Sequence, residues 1–538
     1  MIKSLKLFFL NKSENLDFEF FDKKIVVKLQ KFSSLNLNSF DIEIVFENEI
    51  DSFRTHDYKW VKCNKEFVAP HFAPKIVKLK NGFFAQPNIQ DGIWEFNPKF
   101  KNKVLWRFNP ENAAMLTKYS GRENKKVLQP VASLFDFNQE IAFLFSNKNA
   151  VELSRSPIPF SAITCFTDHC DFDSLENLKL QRIFFKENGI KVTKGFFLNH
   201  YSKRKDNASF ENDADELSKW ENDGHELCYH SLSQSIKNDK ESFDSFCSFQ
   251  SPIKSVPTWI DHGYQPYNFS LYKNLNFGDA DFEEVLIKNK ISNLWNYIDS
   301  GTSTSGVINQ LNSNDFTLKS YFNGIKDLKI KDKIALKIKI ILFHYYADEK
   351  MIMKYKNISS CFKKFIEHKS FKQLFFFFKN LISISIPLLK VFFFWNSVKN
   401  KPFPLAKYSP LIFKHRIQDN AFSIFQTLEM VDFKKSLAPK NINKLIDESG
   451  IFIAHTYFSV PMKYHFGKLF KTETLIDNDV ASNFSYLGEK VRSNQVWNPT
   501  LNELVQFLSK FESVRLDVND SGNIFVANNS DLPFREIN

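Results

Sequence analysis

The stretch from 162 to 234 constrains the chain most, because it reads strand, acidic loop, helix, strand, helix, strand, histidine loop. It opens Ala162-Ile-Thr-Cys-Phe-Thr-Asp-His-Cys-Asp-Phe-Asp-Ser174, an apolar β-branched run ending in Asp168, His169, Asp171 and Asp173. Ser174 is placed to cap a helix reaching about Asn188, with Leu175, Leu178 and Phe185 on one face and Gly189 as its stop. Residues 190–198 predict a second strand, 214–222 a second helix ended by Gly224, and 226–229 a short third strand. A βαβαβ order requires a parallel sheet with helices outside, as a barrel or a doubly wound layer. Carboxylates and imidazoles at successive strand ends are what an α/β enzyme needs to hold a divalent metal and a general base at one mouth.

At 538 residues the chain is long enough for two or three domains, and 43% hydrophobic content supplies their cores. The 61 Phe, beside abundant Lys, Asn and Ile, read as compositional bias of an AT-rich genome and not as an aromatic binding surface. The net charge of +11 calls for an anionic partner, and the basic excess collects between about 326 and 416. No base-stacking motif accompanies it, so a nucleic acid is not expected; an anionic membrane surface is the partner expected for 326–416. The six cysteines show no metal-finger or disulfide spacing and fit a reducing compartment. The apolar run near Met1 is only four residues long, too short for a signal peptide. The expected location is cytoplasmic, peripheral to the inner membrane.

Four segments follow from the pattern. Residues 1–155 alternate short β-type runs with polar turns and form a β-rich accessory domain; Ser154-Arg-Ser-Pro-Ile-Pro159 reads as a linker. Residues 156–324 begin the β/α unit. Residues 325–416 are a basic, Phe/Lys-rich helical insert, in which Lys379, Pro387 and Lys390 interrupt an apolar stretch long enough to span a bilayer. Residues 417–538 complete the unit, with an apolar strand ending at His455, a closing helix over 500–511 and a terminal hairpin around Asp520-Ser-Gly522.

With these motifs in view, the chain resembles the polysaccharide deacetylase superfamily (carbohydrate esterase family four and relatives). The 164–174 loop stands where that family has Thr-Phe-Asp-Asp-Gly or His-Asp-x-Asp, and Asn188-Gly-Ile-Lys-Val-Thr-Lys-Gly-Phe-Phe197 is similar to its second strand. Gly224-His-Glu-Leu-Cys-Tyr-His-Ser231 looks like Gly-His-Glu-Ile-Gly-Asn-His-Thr, and Ile451-Phe-Ile-Ala-His455 sits where the family has its late histidine strand. The resemblance covers roughly 160–300 and 440–510. It implies an α/β fold, a distorted β/α barrel of polysaccharide-deacetylase type, joined to the β-rich N-terminal domain and the basic insert.

It also implies roles. His230 matches the first metal histidine and His455 the general acid. In the Asp-x-Asp form Asp171 is the base and Asp173 the ligand; if the strand ends earlier, Asp168 is the base and His169 or Asp171 the ligand. Two departures stand out. Gln234 replaces the second metal histidine, leaving His225 as the nearby substitute ligand, and Tyr264 occupies the place of the steering arginine before Pro266-Tyr267. Tyr267 is the expected substrate contact, and the implied cofactor is a divalent metal, zinc first. The implied function is metal-dependent removal of an acetyl or other acyl group from a sugar or glycan precursor, in surface-polysaccharide synthesis. The alternative is a non-catalytic glycan-binding or assembly protein that kept the fold and lost the metal.

Overall fold

The computed structural model describes residues 1–35, 37–120, 125–275, 277–296, 306–430, 432–459, 468–528 and 530–538. The first 146 residues build a six-stranded and a seven-stranded antiparallel sheet. Phe40–Phe46 shows why: Phe40, Ile42, Ile44 and Phe46 are buried and the residues between them half-buried, the period of a strand with one face on a core. Those side chains meet Trp94, Trp106, Phe143 and Phe145 of the other strands in one shared core.

The segment expected to be a linker is a fixed joint instead. Ser154, Arg155 and Ser156 are buried, and the Arg155 guanidinium donates to the carbonyls of His56 at 2.6 Å, Ser449 at 2.9 Å and Phe72 at 3.1 Å. A buried cation with three carbonyl acceptors holds the two halves of the chain together, whatever the flanking prolines signal.

The second half is organised on one sheet. Its strands are β1 (Ala162–Asp168), β2 (Thr193–Phe196), β3 (Glu226–Tyr229), β4 (Thr258–Trp259), β5 (Asn293–Trp295), β6 (Ile412–Ile417), β7 (Asn420–Phe425), β8 (Leu428–Glu429), β9 (Ile451–Thr456) and β10 (Val496–Trp497). The spatial order is β6-β7-β5-β4-β3-β2-β1-β9-β8, with β10 also on β1; pairing is parallel except in the β6–β7 hairpin. The protein is thus a mixed α/β chain with a β-rich N-terminal region. Among the described residues no pairing joins β6 to β8, so the sheet is an open half-barrel where a barrel was expected.

Both faces of this sheet are covered, which is why β1 reads as an unbroken apolar run. Phe166, Phe196, Tyr229 and Trp259 pack with Leu178, Phe185, Leu217 and Trp220 from α1 (Leu175–Asn188) and α2 (Phe210–Asn222). Ile163, Cys165, Cys228 and Ile453 pack on the other side with Leu501, Leu504 and Leu508, and with Leu144 and Leu153 from the N-terminal region. The Ser174 hydroxyl accepts the Asn177 N–H, and Gly189 ends α1 at φ 66.

A helical layer lies between β5 and β6. It contains α3 (Glu349–His368) and α4 (Phe371–Phe393), which pack against each other. The insert was expected to run to 416, but its last α-helix ends at Val398 and residues 412–417 are β6. Pairing with β7 across six residues, Ile412↔Phe425 to Ile417↔Asn420, draws that segment into the sheet.

Candidate metal centre

Imidazoles and a carboxylate from four strand ends converge at the C-terminal mouth of the sheet. His169 and Asp171 follow β1, His230 follows β3 and His262 follows β4; His455 lies in β9, level with Thr167 of β1. Parallel strands all deliver their following loops to the same end, so this mouth is where such a sheet assembles a site.

The distances are those of one connected cluster. His169 Nδ1 is 2.9 Å from His230 Nε2, and His169 Nε2 is 2.7 Å from His455 Nδ1. His230 Nε2 is also 3.0 Å from Asp171 Oδ2. The other Asp171 oxygen accepts from Arg204 Nη1 at 2.6 Å and lies 3.1 Å from His262 Nε2. His169, Asp171, His230 and His455 are all buried, and the Trp295 indole stacks on His455 with centroids 4.4 Å apart.

The backbone is strained beside two of these groups. Phe172, after Asp171, has φ 71, and Ser231, after His230, has φ 69. A left-handed conformation costs an L-residue about 1–2 kcal/mol, and such strain gathers where a loop must aim a side chain. Below them Gly195 permits β2 to approach β1: a Cβ there would lie 2.4 Å from the Asp168 carbonyl oxygen.

Burial sets the charge states. It pushes His169 well below the ordinary imidazole range, with His230 and His455 adding to the effect, and it lowers His230 to about 4 against the pull of Asp171. Burial alone would raise Asp171, but His262 and His230 outweigh it and hold that carboxyl well below the usual range. Neutral imidazoles facing an ionised carboxylate are the form in which these groups bind metals.

The donor set fits a divalent cation. A neutral imidazole carries one proton, and His230 Nδ1 lies 3.3 Å from the Ile260 carbonyl. A proton placed there would free Nε2 to bind an ion between it, Asp171 Oδ2 and His169 Nδ1, in place of its hydrogen bond to Asp171. Ligand atoms of His169, Asp171 and His230 all lie within 4.8 Å of one another. Atoms about 2.0–2.2 Å from a shared zinc ion have that kind of spacing. The second nitrogen of His169 is taken by His455, an outer partner of the type that orients metal-bound imidazoles.

Of the residues expected at the site, the structure brings His169, Asp171, His230 and His455 together and leaves Asp168, Asp173 and His225 out. The reason for the first two is Lys194, in the middle of β2. Its ammonium is bonded to Asp168, and lies 2.6 Å from Asp173 Oδ2 and 2.9 Å from Gln181 Oε1, with all three ionic side chains buried. Burial alone would lower Lys194, but Asp168 and Asp173 outweigh it and hold it above its ordinary range; burial pushes Asp168 up to about 7. One lysine shared by two buried carboxylates offsets part of the cost of burying them. These oxygens are engaged below the mouth.

His225 lies at the opposite end of β3, where its Nδ1 accepts the Val192 N–H at 3.2 Å and Trp220 packs on the ring at 4.6 Å. Gln234 is engaged between two loops, its amide oxygen accepting from the hydroxyls of Ser202, after β2, and Ser235. Tyr264 is exposed, and burial pushes the thiols of Cys165, Cys170 and Cys228 up, away from ligand form. Tyr267 lines a cavity of about 460 Å³ beside the mouth.

Arg204 and His262 were not assigned roles from the sequence. Arg204 carries no local signal; His262 stands after an apolar run, 256–260, in a polar–aromatic cluster that could have served as one. Of a further polar–aromatic stretch in the sequence, Trp295-Asn-Tyr-Ile-Asp299, only Trp295 and Asn296 lie within the described residues.

No family model matches the chain, and no curated protein matches it. Among solved structures, a glycoside hydrolase family 97 enzyme from Pseudoalteromonas sp. strain K8, in complex with acarbose, is 12% identical with a TM-score of 0.23; the match covers 53% of this chain and 52% of that one. Xylosidase from Aspergillus niger is 9% identical, TM-score 0.19, over 53% and 40%. A cycloalternan-forming enzyme from Listeria monocytogenes, in complex with a pentasaccharide substrate, is 8% identical, TM-score 0.20, over 52% and 34%. The chain spans about half the length of the first of these.

These findings overturn the resemblance to polysaccharide deacetylases, since the neighbours named are glycoside hydrolases and a cycloalternan-forming enzyme. The deacetylase activity inferred from that resemblance falls with it. TM-scores near 0.2 assign this chain neither a substrate nor a mechanism.

Proposed function

We propose that the chain is a metal-dependent hydrolase acting on a glycan, its ion held by His169, Asp171 and His230. The observation that carries this reading is the convergence of His169 Nδ1, His230 Nε2 and Asp171 Oδ2 in a buried mouth. When bound, a divalent ion supplies Lewis acidity, which polarises a substrate oxygen and acidifies water. The chain's own residues do the rest. His455 orients the His169 ring, Arg204 and His262 keep Asp171 ionised and aimed, and Trp295 shields the His455 side from water.

The glycan rests on the neighbouring cavity, whose walls include Asn199, His200, Tyr201, Glu211, Lys237 and Tyr267. Amide, carboxylate, ammonium and imidazole groups interleaved with tyrosine rings suit a hydroxyl-rich ring with an apolar face. Loops that line the cavity also reach the centre. The loop after β2 places Tyr201 on the cavity and Arg204 on Asp171, while the Tyr267 hydroxyl is 3.0 Å from Ser231 Oγ, next to His230.

Metal content of the purified protein, by mass spectrometry, tests the centre. Near-stoichiometric divalent ion is expected in the wild type and in His225→Ala, and loss in His169→Ala and His230→Ala. An apo protein after incubation with zinc would refute the centre and leave only a hydrogen-bonded histidine chain. Hydrolysis of an oligosaccharide panel by the loaded enzyme, slowed in Tyr201→Ala, tests the substrate class.

A further inference from the structure

Helix α4 turns its greasiest face outward. Phe371, Phe375, Phe378, Ile382, Ile386 and Leu389 are spaced at four, three, four, four and three residues, and Phe393 continues the series. That spacing keeps side chains on one side of an α-helix. All seven are exposed, from 50% at Phe378 to 82% at Phe371 and Phe393. The stripe is about 33 Å long at 1.5 Å per residue, well beyond the scattered apolar exposure that soluble surfaces tolerate.

The opposite face is already occupied. Ile384 and Val391 are buried, Lys354 Nζ bonds Ser383 Oγ at 2.7 Å, and the Tyr346 hydroxyl donates to the Pro387 carbonyl at 3.0 Å. The charges are placed to one side as well. Lys372, Lys379 and Lys390 are all exposed and follow intervals of seven and eleven residues, so they line one flank of the stripe, and α4 has no acidic residue. Segment 326–416 carries twenty Lys and Arg against five Asp and Glu, a surplus larger than the +11 of the whole chain.

We propose that α4 is an in-plane anchor that seats this protein on an anionic lipid bilayer, the phenylalanine stripe entering the acyl boundary and the flanking lysines reaching phosphate headgroups. Charge complementarity selects this occupant: lysine stems cover apolar surface while their ammonium groups stay at the headgroup level. The helix is long and apolar enough to cross a membrane. A spanning orientation would bury three lysines and strip away the packing of Ile384 and Val391, both of which are costly. A second copy of the chain would bring one lysine-rich surface against another.

Co-sedimentation of the full-length protein with vesicles tests this. Vesicles containing phosphatidylglycerol should pellet the protein, with at least tenfold less bound to pure phosphatidylcholine and binding lost in high salt. Ile382→Glu, at an exposed position, should reduce binding at least tenfold with an unchanged circular dichroism spectrum. The triple change Lys372→Gln, Lys379→Gln, Lys390→Gln should weaken the anionic preference, near-surface lysines being worth about fivefold each. No pelleting with anionic vesicles overturns the proposal. So does equal binding to neutral vesicles that survives alkaline carbonate, which marks a spanning helix, or a dimer that Ile382→Glu dissolves without any vesicle binding.

Discussion

The mouth of the sheet and the outer face of α4 both depart from the usual partition of side chains, in opposite directions. At the mouth His169, Asp171 and His230 are buried, and just below it Asp168, Asp173 and Lys194; on α4 Phe371, Phe375, Ile382 and Phe393 face outward. Buried ionisable groups are tolerated when each finds a partner, and in this region most do: Lys194 for Asp168 and Asp173, Arg204 and His262 for Asp171. Exposed rings on α4 find no such remedy inside the chain, because the other side of the helix is already packed. The contrast separates a region completed largely from within from a region that needs an outside surface.

The largest effect should come from breaking the internal pairing. Lys194→Met leaves two buried carboxylates without their cation, and removal of one partner of a buried pair costs about 3–5 kcal/mol. Urea denaturation should show that loss, and Asp168→Asn with Asp173→Asn in the same chain should restore most of it. Little change in Lys194→Met would mean that the trio does not hold the mouth together.

Acid should act next, at the opposite end of β3. Burial lowers His225 to about 4, so the folded chain leaves it neutral where the unfolded chain, near 6.5, takes up a proton. The unfolded state therefore binds more protons between those values, and stability falls as pH drops from about 6.5 to about 4, by ~3 kcal/mol for one such histidine. Denaturation midpoints of His225→Gln across that window should fall less steeply than those of wild type, with metal content unaffected.

A smaller perturbation comes from Gly195→Ala, whose new methyl meets the Asp168 carbonyl at 2.4 Å. Overpacking of this kind costs about 1–3 kcal/mol, and by separating β2 from β1 it should also lower metal occupancy. The smallest effect sharpens the comparison from the other side. Ile382→Glu, at a site 61% exposed, should change stability by no more than about 0.5 kcal/mol, as surface substitutions usually do, while vesicle binding collapses. A large stability loss would show that α4 is covered by the chain itself.

Local order was legible from residues alone. Ser174 and Gly189 bound α1 because a hydroxyl cap and a left-handed glycine are local devices, and Glu226–Tyr229 forms the strand its pattern predicts. The site was legible in its region and less so in its membership. Asp171 and Asp173 are two residues apart on one loop, yet one faces His230 and the other Lys194. Nothing within the loop tells them apart; the difference is made by a lysine from β2 and an arginine 33 residues downstream. The His225 substitution failed for a related reason. A five-residue offset from His230 places it at the far end of a four-residue strand.

The sequence by itself determined the short-range features: the parallel sheet implied by the βαβαβ order, the mouth at which its loops collect, and the basic phenylalanine-rich character of the helical layer. Capping, periodicity and composition are encoded within a few residues, so they can be read in a line. Only the tertiary structure decided that Lys194 takes both Asp168 and Asp173, that His169 sits between His230 and His455, that the sheet stays open among the described residues, and that α4 turns its phenylalanines outward. Each of those outcomes depends on groups from distant strands meeting within about 3–4 Å, where hydrogen bonds and contact packing operate, and no local pattern specifies such a meeting.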